Sequence, residues 1–157
     1  GMVFQQFNLF PHLSVLENLT LGPMRARKLS REKAESLARH YLERVRIPEQ
    51  ADKFPRQLSG GQQQMLTIAR SLMGNPELLL LDEPSEGLAP LVVDKLKEQI
   101  AALQAAGLSL VLAEQNLNFV LDLSDRVYIL EKGEVKFEGT SDALRQSPEL
   151  VSRYLSV

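Results

Sequence analysis

The sequence has no cysteine, no tryptophan and only 2 histidines among its 157 residues. Without cysteine the chain forms no disulfide, binds no zinc through thiolate ligands and has no thiol nucleophile. The absence also fits a reducing compartment, so we expect a cytoplasmic protein. Neither histidine lies in a motif that would give it a catalytic role.

A large charge of either sign is also missing. Lysine and arginine number 18 against 20 aspartates and glutamates, which gives a formal net charge of −2. A chain so balanced has no overall field that attracts it to nucleic acid or to an anionic membrane. We therefore expect no nucleic acid partner, and any ligand must bind at a local site.

Long hydrophobic runs are absent. The longest, such as residues 108–113, fall far short of the roughly 18 apolar residues that cross a bilayer. The first residues lack the basic start and apolar stretch of a signal peptide. The overall hydrophobic content is 44%, enough for one core in a chain of this length. The sequence thus predicts a single folding unit that does not cross a membrane.

The front half is predicted to be mostly helical. Apolar residues at helical spacing indicate an amphipathic helix over 34–45, with Ser30 placed to cap its start. A second helix is predicted over 60–73, and Gly74-Asn75-Pro76 ends it.

The rear half, from about residue 76, follows an α/β pattern. Short apolar runs at 78–81 and 108–113 flank a helical stretch at 91–106, which is typical of a parallel βαβ unit. The remaining predicted elements are a helix, a strand-turn-strand hairpin and two short helices, at 117–123, 126–137 and 141–155.

Two adjacent carboxylates end the first buried strand. The run Leu78 to Leu81 is followed by Asp82-Glu83-Pro84, at the end of a strand where open α/β sheets bind their ligands. Asp82 could hold Mg²⁺, which prefers oxygen ligands, and Glu83 would be free to orient or deprotonate an attacking water. The alternative is that Asp-Glu-Pro merely ends a strand and starts a turn.

A glycine pair precedes the second predicted helix, in the sequence Leu58-Ser59-Gly60-Gly61-Gln62. Glycines let a ligand approach the backbone closely, and a helix start offers unpaired N–H groups to a phosphate. The alternative is that Ser59 is only a helix cap and the glycines a flexible turn.

These stretches, LSGGQQQ and LLLLDEPSEGLAP, resemble the signature and the Walker B strand of the ABC ATPase family. Residues 3–6 (VFQQ) look like the Q-loop of that family, and 127–139 like its closing hairpin. The resemblance implies a P-loop NTPase-like α/β fold that is incomplete. It consists of the Q-loop and helical signature subdomain at 1–75 and the rear part of the α/β core at 76–157.

The resemblance also implies roles for single residues, with ATP and Mg²⁺ as ligands. Gln5 would touch Mg²⁺ and the attacking water, Asp82 would associate with the metal, and Glu83 would be the catalytic glutamate. The signature residues would face the γ-phosphate of ATP held by the other subunit of a head-to-tail dimer; they are Ser59, Gly60, Gly61 and Gln62.

Two positions depart from the family pattern. The family usually has a histidine that contacts the γ-phosphate where this sequence has Gln115, which can hydrogen-bond a phosphate but cannot carry a positive charge. The loop after Walker B has Ala89 where an aspartate usually crosses the dimer. Both departures resemble the ATPases of branched-chain amino acid importers, and Gln115 is assigned the switch role.

The largest departure is the absence of G-x-x-x-x-G-K-[ST], whose amides and lysine cradle phosphates. None of the seven lysines follows a glycine and precedes serine or threonine. The sequence starts about where the Q-loop starts, so we expect a truncation at the front. We also expect the strand at 78–81 to lose sheet neighbours and to leave an apolar edge.

The functional hypothesis is an ATP-hydrolysing subunit of an amino acid importer at the cytoplasmic face of the membrane. Residues 3–23 resemble polar amino acid importers, whereas 86–96 and 112–116 resemble branched-chain importers. The implied partners are a second ATPase subunit, integral membrane permease subunits and, indirectly, a substrate-binding protein. The alternatives are a non-catalytic fragment that only docks onto a complete subunit or permease, and a nonfunctional remnant.

Overall fold

The structure is a computed structural model that describes residues 1–154. Two 3₁₀ turns, Pro48–Gln50 and Pro55–Gln57, lie between its second and third helices. The strands and helices follow in the order β1 (Met2–Val3), α1 (Val15–Ala26), α2 (Arg31–Arg44), α3 (Gly60–Leu72), β2 (Leu78–Asp82), α4 (Pro90–Ala105), β3 (Ser109–Ala113), α5 (Leu117–Leu123), β4 (Arg126–Glu131), β5 (Glu134–Thr140), α6 (Ser141–Arg145) and α7 (Pro148–Tyr154).

The predicted helices are present, and side-chain caps define their starts. The Ser30 hydroxyl accepts a hydrogen bond from the Lys33 amide at the start of α2. Ser59 caps α3 in the same way, because its hydroxyl accepts from the Gln62 amide. The two short C-terminal helices are confirmed as α6 and α7, although Leu155, the last residue of that prediction, lies outside the described residues.

Helix α1 and strand β1 were not predicted. The start of α1 is a capping box, in which the Ser14 hydroxyl accepts from the Glu17 amide and the Glu17 carboxylate accepts from the Ser14 amide. Gly22 and Pro23 usually interrupt a helix, yet both lie inside α1. Tertiary packing overrides this local preference, since Pro23 is buried.

The three strands β1, β2 and β3 form a parallel sheet in that order. Met2 pairs with Leu80, and Asp82 at the end of β2 pairs with Ala113 at the end of β3. The βαβ prediction is thus confirmed. The prediction of an edge at 78–81 was wrong, because β2 is the central strand. Within the described residues the two edge strands of this sheet are β1 and β3.

A second, antiparallel sheet consists of β4 and β5. Lys132 and Gly133 join them with φ angles of 52° and 81°, the left-handed pair that two-residue hairpins of type I′ need. The predicted hairpin is confirmed, and β5 continues to Thr140.

One large hydrophobic core joins the helices to the three-stranded sheet. It includes Val3 of β1, Leu66 of α3, Leu79 of β2 and Ile100 of α4, all buried. A smaller cluster under the hairpin includes Val127, Ile129 and Leu144. Because β1 is part of the sheet that contains β2, the front of the chain contributes to both proposed subdomains. The division at residue 75 remains a prediction.

Across residues 1–154, no helix is long and apolar enough to span a membrane.

Charged side chains connect α4, α5 and α6. The Asp122 carboxylate accepts hydrogen bonds from the Lys97 ammonium and the Arg145 guanidinium, each at 2.9 Å. Lys97 also pairs with Asp94 at 3.4 Å. The bond from Lys97, followed by that from Arg145, holds the pKa of the Asp122 carboxyl below its ordinary value.

We expect Asp122 to make the stability of the chain depend on pH in acid. Because its pKa is depressed in the folded state, its contribution is complete above the ordinary aspartate pKa of about 3.9. The contribution is lost as pH falls through the folded-state pKa. Thermal melts from pH 2 to 7 should show a smaller acid slope for Asp122→Asn. Asp52→Asn, at an exposed site, is the control, and an equal change in both variants would contradict the prediction.

Candidate functional site

The candidate site lies at the carboxyl ends of β2 and β3. Asp82 and Ala113 are the last residues of the two strands and pair in register. Immediately after them, the Glu83 amide donates to the Ala113 carbonyl at 2.8 Å. The loops that follow the strands therefore start side by side, at the edge where open α/β sheets bind ligands.

Glu83 and Gln115, one from each loop, are in direct contact. The Gln115 side-chain amide donates to the Glu83 carboxylate at 2.7 Å. Glu83 has a φ of 45°, in the left-handed region that few residues other than glycine adopt. The structure thus brings together the two residues that the sequence reading assigned to catalysis, although they are 32 positions apart.

The hydrogen bond from Gln115 lowers the pKa of the Glu83 carboxyl, and a hydrogen bond with Glu86 lowers it further. Glu83 is therefore ionised at neutral pH and can accept a proton or a hydrogen bond from water. Gln115 acts here as a neutral donor that leaves the negative charge on Glu83.

Gln5 lies across from the same loop, where its side-chain amide donates to the Glu86 carboxylate. Asp82 is partly exposed at the end of β2. No group of three or more His, Cys, Asp or Glu able to hold a metal occurs in the described part of the chain. Asp82 and Gln5 are the side chains whose oxygens would bind Mg²⁺ here. Such a small set of protein donors fits this ion, because Mg²⁺ keeps several waters and takes one or two carboxylates together with substrate phosphates.

Ser59 and Gln62 form reciprocal hydrogen bonds at the start of α3. The Ser59 amide donates to the Gln62 side chain at 3.0 Å, and the Gln62 amide donates to the Ser59 hydroxyl at 3.3 Å. Ser59 therefore caps α3, whereas Gly60 and Gly61 are the first residues of the helix and not a flexible turn. The N–H groups of Gly60 and Gly61 have no partner within a helix that starts at residue 60, so a ligand could still use them.

The two glycines differ in their surroundings. Gly60 is exposed, and an added Cβ would meet only the end of the Leu88 side chain at 3.4 Å. Gly61 is buried, and a Cβ there would lie 2.2 Å from Cγ1 of Val92. Gly61 is thus a packing residue that lets α3 approach the first turn of α4, a role that the sequence reading missed.

Helix α3 also holds the segment that contains Gln5. The Arg70 guanidinium donates to the carbonyls of Asn8 at 2.6 Å and Phe7 at 3.0 Å, and the Thr67 hydroxyl donates to the latter at 3.3 Å. One rigid helix therefore has the glycine pair at its start and the Gln5 segment near its end. Sequence reasoning missed Arg70 because its partners are distant backbone carbonyls.

The predicted site residues form two groups. Gln5, Glu83 and Gln115 lie around the loops after β2 and β3, with Asp82 at the strand end. Residues 59–62 lie at the start of α3, where Gly60 faces Leu88 and Gly61 faces Val92. No hydrogen bond or ion pair joins residues 59–62 to Glu83 or Gln115 among residues 1–154.

The chain is similar in sequence to ATP-binding proteins of ABC transporters. The family model described as ABC transporter matches residues 1–86. An uncharacterized amino-acid ABC transporter ATP-binding protein, YhdZ of Escherichia coli (strain K12), is 45% identical over 95% of this chain and 59% of its own length. The general L-amino acid transport ATP-binding protein AapP of Rhizobium johnstonii is 42% identical over 95% of this chain and 58% of its own length.

Two solved structures of ABC transporter proteins are similar in fold to this chain. CbiO1 of Clostridium perfringens, part of an ABC transporter complex, superposes with a TM-score of 0.86 at 28% identity and covers 98% of this chain. The ATP-binding cassette MJ0796, a dimer bound to ADP and Pi, superposes with a TM-score of 0.77 at 34% identity over 90% of this chain. The chain spans 61% and 62% of these two proteins, so it matches about three fifths of each.

Proposed function

Because the chain belongs to the ABC transporter family, with residues 1–86 matching the family model, we propose that it is part of an ATP-hydrolysing transporter subunit. The observation that carries the proposal is the contact between Glu83 and Gln115 at the carboxyl ends of two parallel strands. An ionised carboxylate beside a neutral amide donor suits the orientation and deprotonation of water.

Each residue at the strand ends has a proposed role. Glu83 accepts the hydrogen bond of an attacking water, and Gln115 keeps the carboxylate in place and lies near the γ-phosphate. Asp82 and Gln5 hold Mg²⁺, and Gln5 also touches the attacking water. The chemistry that Mg²⁺ would supply when bound by these residues is neutralisation of the charge that develops on the phosphate oxygens.

The glycine pair is proposed to serve a second subunit. The N-terminus of α3 offers the N–H groups of Gly60 and Gly61 and the positive end of the helix dipole, which suit a phosphate. In a head-to-tail dimer these groups, with Ser59 and Gln62, would face the γ-phosphate of ATP bound by the partner. The exposure of Gly60 supports this proposal, because its backbone is accessible.

An amino acid is the proposed cargo. Relatives at 42% and 43% identity are named as general L-amino acid and glutamate transport ATP-binding proteins. The proposed partners are a second ATPase subunit and integral membrane permease subunits, with a substrate-binding protein acting indirectly. The subunit would be peripheral, at the cytoplasmic face of the membrane.

The 157 residues by themselves are proposed to be inactive. They contain no G-x-x-x-x-G-K-[ST], so most phosphate donors and the lysine charge are missing. We expect calorimetric titration with Mg-ATP to show no binding in the micromolar range and no hydrolysis above background. Micromolar affinity would contradict this proposal.

A composite site can test the role of the glycine pair. The complete E. coli relative would be given the change equivalent to Gly60→Asp, so that its own dimers are inactive. Adding the 157-residue chain should restore ATP hydrolysis, because the chain supplies an intact α3 start to the phosphate loop of the relative.

Two variants of the 157-residue chain serve as the test and its control. Gly60→Asp should abolish the restored hydrolysis, since a carboxylate at the helix start repels the γ-phosphate while leaving the helix capped and stable. Glu131→Ala, at the exposed end of β4, should have no effect. If sedimentation shows association but hydrolysis is not restored, the role proposed for the glycine pair is contradicted. That result would favour the alternative function, a non-catalytic fragment that only docks. The missing phosphate loop also supports this alternative.

A further inference from the structure

The carboxylate of Glu114, which sequence reasoning did not single out, binds backbone amides from two separate loops. Its Oε1 accepts from the Ser85 amide at 2.8 Å. Its Oε2 accepts from the Gln115 amide at 2.9 Å and the Asn116 amide at 3.1 Å. A carboxylate that accepts several N–H bonds is a strong acceptor, because charge-assisted hydrogen bonds exceed neutral ones in strength.

The three amides belong to the loops that hold the candidate catalytic pair. Ser85 is buried and lies two residues after Glu83, whereas Gln115 follows Glu114 directly. Asn116 caps α5 through its side chain, which accepts from the Phe119 amide at 3.1 Å. Glu114 thus connects the loop after β2 to the loop after β3 and to the start of α5.

Few other bonds could set the distance between these loops. The Glu83 amide donates to the Ala113 carbonyl at the point where both strands end. Beyond that point, the two hydrogen bonds between the loops are the one from Ser85 to Glu114 and the one from Gln115 to Glu83. The first has its donor in the buried residue Ser85, while the second joins the partly exposed Glu83 to the exposed Gln115.

We propose that Glu114 is a positioning residue, whose carboxylate ties the two loops together and thereby holds the Gln115 amide against Glu83. Its importance for hydrolysis rests on the proposed function, whereas the tie itself does not depend on nucleotide. An alanine or a hydroxyl at position 114 could not span both loops, because three amides need two acceptor oxygens on a side chain of this length.

Amide hydrogen exchange by NMR on the 157-residue chain, without nucleotide, tests the proposal. In Glu114→Ala we expect the Ser85 amide to exchange about tenfold faster, as the loss of one charge-assisted bond implies. The side-chain amide signal of Gln115 should move to the position that it has in Glu83→Ala, where position 83 has no acceptor and the contact is broken.

Two conservative variants separate this role from general stability. Glu114→Asp keeps the charge and the local amides but is one methylene shorter, so only Ser85 should lose protection. Glu114→Gln keeps the length with a single acceptor oxygen, so one of the two loops should lose protection. In both, the Gln115 side-chain signal should shift in the direction of the Glu83→Ala signal. Glu131→Ala should change none of these readouts.

The result that would overturn the proposal is a Glu114→Asp variant with unchanged Ser85 exchange and an unchanged Gln115 side-chain signal. If Glu114→Ala fails to fold, Glu114→Asp and Glu114→Gln decide the matter. Since all measurements are made without ATP, a failure of the composite-site assay would leave this result standing, and the reverse also holds.

Discussion

Replacing Asn18 with alanine is expected to lower the free energy of unfolding by about 3 kcal/mol, because it removes four hydrogen bonds and leaves the Phe10 amide and the Leu13 carbonyl without a partner. Asn18 is 1% exposed, and its side chain makes four hydrogen bonds to the loop before α1. Its Oδ1 accepts from the Phe10 amide at 2.8 Å. Its Nδ2 donates to the carbonyls of Phe10, Leu13 and Ser14.

Asn18→Asp should be at least as destabilising at neutral pH. The aspartate would still accept from the Phe10 amide, but its second oxygen would face three carbonyls, and burying a charge without a partner is unfavourable. Lowering the pH should recover part of the loss, since the protonated acid can donate one hydrogen bond.

Urea unfolding of the variants would measure these effects. Thr20→Val on the same helix is the matched control, because the Thr20 hydroxyl bonds only carbonyls of its own helix, Leu16 and Glu17. We expect Thr20→Val to change the free energy of unfolding by less than about 1 kcal/mol. The role given to Asn18 would be wrong if Asn18→Ala were no more harmful than this control.

Gly61→Ala is expected to lower the free energy of unfolding by about 1 to 3 kcal/mol through overpacking, even though alanine is the better helix former. The new methyl would lie 2.2 Å from Cγ1 of Val92. Valine in a helix has one strongly preferred χ1 rotamer, so it cannot easily turn away. Helix α3 must therefore separate from the first turn of α4.

A double-mutant cycle identifies the contact. Val92→Ala removes the obstructing methyl groups, so Gly61→Ala should be neutral or stabilising in that background. Gly60→Ala is a second control, since its methyl would meet Leu88 at an ordinary distance of 3.4 Å. Equal destabilisation by Gly60→Ala and Gly61→Ala, measured by thermal and urea unfolding, would show that packing against Val92 is not the cause.

The same substitution bears on the composite site. The Arg70 and Thr67 contacts to the carbonyls of Phe7 and Asn8 lie at the other end of α3. A displacement of α3 by Gly61→Ala would therefore also disturb these contacts. If Gly61→Ala weakens the restored hydrolysis and Val92→Ala reverses this loss, Gly61 acts through packing and not through direct contact with phosphate.

Local patterns predicted much of the fold. The apolar runs that became β2 and β3, the helical stretch between them and the turn of the hairpin depend on periodicity and turn chemistry, which are properties of neighbouring residues. The proximity of Glu83 and Gln115 was also foreseeable, since the carboxyl ends of parallel strands meet at one edge. The functional roles of these residues, by contrast, remain predictions.

Other features had no local signal. Strand β1 has only two residues and exists because β2 offers it a partner 78 positions away, and α1 forms across Gly22-Pro23 because its face is buried. The predicted edge at 78–81 was wrong for the same reason, since a strand's neighbours depend on the whole chain.

The sequence by itself determined the family resemblance, the parallel βαβ unit and the identity of the carboxylate and amide groups, because motifs and periodicity reside in consecutive residues. Only the tertiary structure decided that Gly61 is a packing residue against Val92, that Asn18 organises the loop before α1, and that Glu114 joins two loops. The contacts of Gly61 and Glu114 join segments that meet only when the chain has folded, and those of Asn18 depend on the conformation of the loop before α1, which spacing along the sequence does not encode.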